Sequence, residues 1–308
     1  MRLNLKELSR RTDLLSSGHR LCAGCAEPII VRQVLNIAGP ETVVVNATGC
    51  LDVASTPYPY TAWRVPWLHN AFENAAATAS GVEAAIRAFQ RKGRSNGKIP
   101  NIIAFAGDGG SYDIGLQSLS GALERGHRFV YICLNNEAYM NTGVQRSSAT
   151  PPGASTTTSP AGTVQKGKPQ PRKDLTEIVA AHRIPYVAQA SPHYWKDFLR
   201  KVDKALNTEG PSFLNVLAPC PKGWKSEPEV SIQLGRVAAD TRVWPLYEIE
   251  QGRWKINYRP RQKKPITEWL RLQGRFAHLL KPENQELVEE MQKAVDCEWE
   301  SLLAKCAA

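Results

Sequence analysis

The stretch over residues 102–142, IIAFAGDGGSYDIGLQSLSGALERGHRFVYICLNNEAYMNT, constrains the fold more than any other. A five-residue apolar run, 102–106, has strand length and stops at Gly107-Asp108-Gly109-Gly110. Ile114, Leu116, Leu119 and Leu123 then recur at roughly helical spacing, Gly126 ends that helix, and 129–134 is a second apolar strand. A strand–helix–strand unit of this length favours a parallel sheet with a right-handed crossover. Both polar clusters, Gly107-Asp108-Gly109 and Asn135-Asn136, follow strands, and ligands of such sheets sit beyond the carboxyl ends of the strands. Glycines let a bulky anion approach the backbone, and a following helix points free N–H groups at it. Asp108 and Asn136 bring oxygen ligands to one place, as Mg²⁺ requires when phosphate and water fill the rest of its shell. The chemistry implied is a diphosphate held through a divalent metal.

Seven cysteines ask for a second explanation. Cys22-Ala23-Gly24-Cys25 precedes a helix expected over 28–37, and Cys50 follows a strand expected over 42–46. Cys220 follows a strand expected over 213–217. A lone CxxC fits zinc, a redox dithiol or an iron–sulfur cluster; zinc sites usually pair two half-sites, and only one pair is present. Iron–sulfur cubanes take four thiolates at irregular spacing. Cys133 lies inside an apolar strand and reads as a core thiol, while Cys297 and Cys306 fall on a C-terminal helix.

Gly-Asp-Gly with Asn-Asn after the next strand looks like the thiamine diphosphate motif. The longer text GDGGSYDIGLQSLSGALERGH…NNEAYMNTGVQRSSATP resembles beta subunits of the pyruvate:ferredoxin type, within the 2-oxoacid:ferredoxin oxidoreductases. The resemblance covers most of the chain. It implies an α/β fold with a doubly wound, mostly parallel sheet of the thiamine diphosphate-binding type and a C-terminal helical extension. It also implies that Cys22, Cys25, Cys50 and Cys220 ligate one 4Fe-4S cluster, and that Asp108, the Asn136 side chain and the Ala138 carbonyl hold Mg²⁺. Gly107, Gly109 and Gly110 would cradle the diphosphate, Asn141 would face the reactive carbon or substrate as the catalytic group, and Glu27 and Cys50 would lie beside the cofactor. Glu27 read on its own is a helix N-terminal acid.

The reaction so implied is oxidative decarboxylation of pyruvate to acetyl-CoA and CO2, or its reverse, with coenzyme A as co-substrate and single electrons passed to ferredoxin, in anaerobic metabolism. Oxalate or 2-oxoisovalerate are rival substrates, and a non-redox thiamine decarboxylase or synthase is the rival that needs no cysteines. The carboxylate that activates thiamine on its pyrimidine ring resembles a feature of an alpha subunit, and the tight CxxCxxCxxxCP ferredoxin run is absent. Partners are therefore expected: an alpha subunit, a ferredoxin-like cluster subunit or domain, and external ferredoxin, in a dimer of hetero-oligomers.

Residues 1–19 are expected as an N-terminal arm and 20–235 as the thiamine diphosphate-binding domain. Residues 147–173, rich in Ser, Thr, Pro and Gly, are expected as a long loop over the cofactor or a partner. Residues 236–308 read as an extension, with helices over 266–280 and 283–303; 56–69 (TPYPYTAWRVPWLH) reads as a loop, and 71–91 as a helix of small residues. The net charge of +10 comes without a nucleic-acid motif, and no apolar run is long enough for a bilayer. Without an apolar signal core, a cytoplasmic location, with neither nucleic acid nor membrane as partner, is the expectation.

Overall fold

The computed structural model describes residues 4–94, 97 and 99–307. Leu3 of the arm, and Ser95, Asn96 and Lys98 of the polar link before residue 99, lie outside the described residues. Eight strands form one sheet: β1 Thr42–Ala47, β2 Trp67–Asn70, β3 Asn101–Gly107, β4 Val130–Asn135, β5 Tyr186–Ala190, β6 Ser212–Leu217, β7 Tyr247–Glu250 and β8 Arg253–Ile256. Their spatial order is β2-β1-β3-β4-β6-β5-β7-β8. The first six run parallel, and β7 and β8 pair antiparallel. Strands β4, β5 and β6 are buried along their whole length, which is why they read as near-continuous apolar runs.

Helices cover both faces. On one, α1 Glu27–Ala38 buries Ile30, Val31, Val34 and Leu35 with Phe198 and Val202 of α5 Trp195–Asn207. On the other, α2 Ala75–Arg91 presents Ala75, Ala76 and Ala79 to the sheet beside Leu119 and Leu123 of α3 Leu116–Glu124 and Leu175 and Val179 of α4 Leu175–Ala180. The doubly wound, mostly parallel sheet is as expected.

Two local expectations need correction, and one hairpin has no counterpart among them. Residues 67–70 are not loop but the edge strand β2; Pro57, Pro59 and Pro66 all precede it, where no ladder N–H is needed. Residues 247–256 form a hairpin turning at Gln251 (φ 51°) and Gly252 (φ 78°), two positive-φ positions that a tight hairpin needs and that Gln-Gly does not advertise. Residues 266–280 are not one helix: Thr267–Leu270 is α-helical and Gly274–Leu280 is a 3-10 segment, split at Gln273-Gly274. A side chain on Gly274 would collide with Lys225.

Beyond residue 235 lie the end of α6 Ser231–Asp240, β7 and β8, and the final helix α7 Gln285–Ala307. They enclose a third core with Trp244, Trp269 and Phe276, joined to Leu217 and Trp224 of the sheet region. Residues 147–173 contain no helix or strand, yet Ala149, Thr150, Ala154 and Lys168 are buried. The Lys168 ammonium donates to the Thr150 and Pro171 carbonyls and ties the two ends of that loop together.

Candidate active site

Four loops meet beyond the carboxyl ends of β1, β3, β4 and β6. Those after β1, β3 and β4 line an open cleft walled by Glu27, Thr48, Cys50, Gly107, Asn136 and Asn141 among others.

Asp108 is fully buried at the end of β3. Its Oδ1 accepts the Asn136 backbone N–H (3.2 Å) and its Oδ2 accepts the Ser147 hydroxyl (2.5 Å). Burial pushes its carboxyl up to about 7, against the pull of those hydrogen bonds. Glu27, at the start of α1, is likewise pushed up to about 7 by burial and accepts the Asn136 side-chain amide at 3.1 Å. Glu27 Oε2 and Asn136 Oδ1 are buried with no protein partner. Buried oxygens are normally satisfied, so two orphans side by side at the cleft wall mark a place for a cation or a polar ligand.

The glycines play unequal parts. A side chain at Gly109 would strike the Tyr139 ring at 2.3 Å, and one at Gly110 would strike the Phe72 carbonyl at 2.9 Å, whereas Gly107 faces open space. Tyr139 stacks on Phe72 at 5.7 Å, and both rings line the cleft. The helix after Asp108 opens with a π-helical turn, Gly109–Ile114, before α3.

The four candidate thiols gather at the same edge. Cys25, Cys50 and Cys220 are partly buried and Cys22 is exposed. Gly24 (φ 73°) leaves no room for a side chain, its position closed by the Pro228 backbone, so the CxxC turn lies against the segment after Cys220. Ala26 N–H donates to the Pro219 carbonyl at 3.3 Å, pinning the same two loops. The Cys220 sulfur accepts the Gly223 N–H at 3.4 Å. Cys50 interacts electrostatically with both Cys220 and Cys22, and Cys25 with Cys50 and Cys220. Burial, then the Glu27 carboxylate, pushes the Cys50 thiol up to about 12; the same two causes push Cys25 higher. Among the described residues no three His, Cys, Asp or Glu side chains are close enough to hold a single metal ion.

Asn141 lines the cleft together with Cys50. Ala138 is buried in the cleft wall. Cys133 is buried in β4 as a core thiol, and Cys297 and Cys306 are on α7, apart from the cleft lining. Sequence reasoning missed Thr48 and His69: the Thr48 hydroxyl lies 2.7 Å from His69 Nε2, which sits 3.4 Å from Asp52 and stacks on Trp67. Recognising β2 would have found them, because His69 pairs in register with Asn46 of β1.

Residues 47–216 match the family model for the thiamine pyrophosphate enzyme C-terminal TPP binding domain. Over 93% of its length the chain is 55% identical to pyruvate synthase subunit PorB of Methanocaldococcus jannaschii, covering 95% of that protein. The Thermotoga maritima PorB is 51% identical, with 98% of this chain and 96% of that protein covered. The chain belongs to the 2-oxoacid:ferredoxin oxidoreductase family, in its PorB branch. The ketoisovalerate oxidoreductase subunit VorB of Pyrococcus furiosus is 46% identical (93% and 91% covered), the same identity as the PorB of that organism. A solved 2-oxoglutarate:ferredoxin oxidoreductase from Magnetococcus marinus shares the fold, with a TM-score of 0.56 at 19% identity over 74% of this chain and 81% of that one.

Proposed function

We propose that this chain is the thiamine diphosphate- and cluster-bearing beta subunit of a pyruvate:ferredoxin oxidoreductase. The observation that carries the reading is that the buried Asp108–Asn136–Glu27 group stands beside Cys50 at the cleft, with Cys22, Cys25 and Cys220 in electrostatic reach of Cys50. Asp108, Asn136 and the Ala138 carbonyl would hold Mg²⁺, and the orphaned Asn136 Oδ1 fits that role. Gly107 gives the diphosphate backbone access; Gly109 and Gly110 contribute by admitting Tyr139 and Phe72 close to the cleft. When bound, thiamine diphosphate supplies a nucleophilic carbon and an electron sink for a 2-oxo acid.

The chain's own residues divide the remaining work. The unpartnered Glu27 oxygen is placed to accept a hydrogen bond from the cofactor. Asn141, which lines the cleft beside Cys50, would orient polar groups between the cofactor and the thiols. Phe72, Tyr139 and Met140 wall the cleft and limit water. The four thiols would be the ligands of a 4Fe-4S cluster, and the Gly223 N–H on the Cys220 sulfur would stabilise the ionised ligand. Because burial holds Cys25 and Cys50 protonated, cluster assembly releases protons and strengthens as pH rises.

An alpha subunit would complete thiamine activation and substrate binding, and a ferredoxin-like subunit would carry electrons to external ferredoxin; coenzyme A is the acyl acceptor. The setting is cytoplasmic, and no helix among the described residues is long and apolar enough to cross a membrane. Pyruvate is the proposed substrate because the 55% and 51% identical relatives are pyruvate synthase subunits. The test is methyl viologen reduction by the anaerobically purified complex with pyruvate, 2-oxoisovalerate and oxalate in turn. Pyruvate and coenzyme A should give the highest kcat/KM; a preference for either other acid refutes the substrate, and no thiamine-dependent turnover refutes the activity.

A further inference from the structure

Between Asn136 and Ala138 stands Glu137, whose backbone is left-handed (φ 68°) and whose side chain is fully buried. A non-glycine residue holds such a conformation only where its surroundings impose it. Every polar atom of Glu137 is engaged. Its N–H donates to the Asn135 side chain at 3.1 Å, and its carbonyl accepts the Thr150 hydroxyl at 2.6 Å. One carboxylate oxygen takes Arg172 and the other takes Arg275.

The two arginines come from distant parts of the chain. Arg172 ends the long loop and lies over Trp244 at 5.3 Å. Arg275, 2% exposed, comes from the C-terminal region. Its guanidinium donates to the Gln273 side chain and lies 4.1 Å over the Trp224 ring. The Trp224 indole N–H in turn donates to the Asn136 carbonyl at 2.8 Å. Trp224 ends the short helix Pro221–Trp224 that Cys220 caps.

We propose that Arg275 and Arg172 are positioning residues that lock the 135–138 turn through Glu137, and so preset Asn136 and Ala138 for the metal. The inference rests on the Mg²⁺ assignment above. Removing one arginine leaves Glu137 half-clamped, and the left-handed kink loses part of what enforces it. A planar fork lying on an indole is not replaced by an ammonium, so Arg275→Lys should restore only part of the effect.

The experiment measures the Mg²⁺ concentration needed for half-maximal thiamine diphosphate binding, by tryptophan fluorescence, in the assembled complex. Variants are Arg172→Gln, Arg275→Gln and Arg275→Lys, with iron content as the check that the cleft is otherwise intact. Residues behind a metal ligand typically cost about 10–100-fold in metal affinity when removed. The Mg²⁺ requirement should rise by that order in both Gln variants and by less in Arg275→Lys. Arg172, the more exposed of the two, decides the matter if Arg275→Gln does not fold. A folded Arg172→Gln complex with full iron content and an unchanged Mg²⁺ requirement overturns the inference alone. A wild-type complex that binds thiamine diphosphate without Mg²⁺ overturns the metal assignment, and this inference with it.

Discussion

The two halves of the cleft are built to different rules. Around Asp108 the chain is closed: the carboxylate is fully buried, already hydrogen-bonded through both oxygens, and backed by the clamped Glu137 turn. Around the cysteines the chain is open: Cys22 is exposed, its three companions are only partly covered, and their fixed contacts are mostly backbone ones. The first half is preorganised for its ligand, as a site that must fix a metal's geometry should be. On the proposed reading the second would gain its remaining order from a cluster, so that metal uptake there would also be local ordering. Losing a ligand should therefore be absorbed locally on the closed side and be ruinous on the open one.

The largest effect is expected at the thiols. Cys220→Ser in the anaerobic complex should abolish the visible iron–sulfur absorbance and viologen reduction, while thiamine diphosphate still binds in a Mg²⁺-dependent manner. Retention of full iron would sever the open half from the account. Next comes Asp108→Asn, which keeps the side chain's shape but removes the charge and turns one accepting oxygen into a donor. Cofactor affinity should fall by more than the roughly 10–100-fold typical of residues behind a ligand, with iron content unchanged. Loss of the cluster together with the cofactor would show that the halves are not separable.

A pH series sharpens the contrast at smaller scale. Asp108 and Glu27 are both pushed up to about 7 from ordinary values of 3.8 and 4.5. The metal-free folded chain thus holds more protons than the unfolded chain between those limits. The stability this lends is fully present below the ordinary values and is lost as pH rises through about 7. Thermal unfolding of the metal-free chain should shift downward between about pH 5 and about pH 8, and Mg²⁺ with thiamine diphosphate should flatten that slope by binding the ionised carboxylate. An identical slope with ligand bound would count against Asp108 as a metal ligand. The smallest effect should come from Trp224→Phe, which frees the Asn136 carbonyl. Chemical denaturation should register a loss of about 1–3 kcal/mol for a buried acceptor left unpaired, and an unchanged midpoint would remove Trp224 from the turn's support.

What the sequence made legible follows the same division. Strands β3 and β4 and the residues after them were readable because they are continuous apolar runs ended by small or polar residues. The thiols were readable as residue types in loops, and the family resemblance grouped them. Glu137 was invisible: its partners Arg172 and Arg275 are 35 and 138 positions away, and no local periodicity encodes such a contact. His69 was hidden because β2 is a four-residue edge strand following a proline-rich run. The packing role of Gly109 became evident only once Tyr139, thirty positions on, was seen against it.

The most direct test of the meeting of both halves is phosphorus-31 electron–nuclear double resonance on the reduced, anaerobically purified complex loaded with Mg²⁺ and thiamine diphosphate, using a Cys25→Ser complex to identify this chain's cluster. A phosphorus coupling to a cluster signal that disappears in Cys25→Ser is predicted. A full complement of cluster signals in Cys25→Ser, or a Cys25-dependent cluster with no phosphorus coupling, would contradict the account.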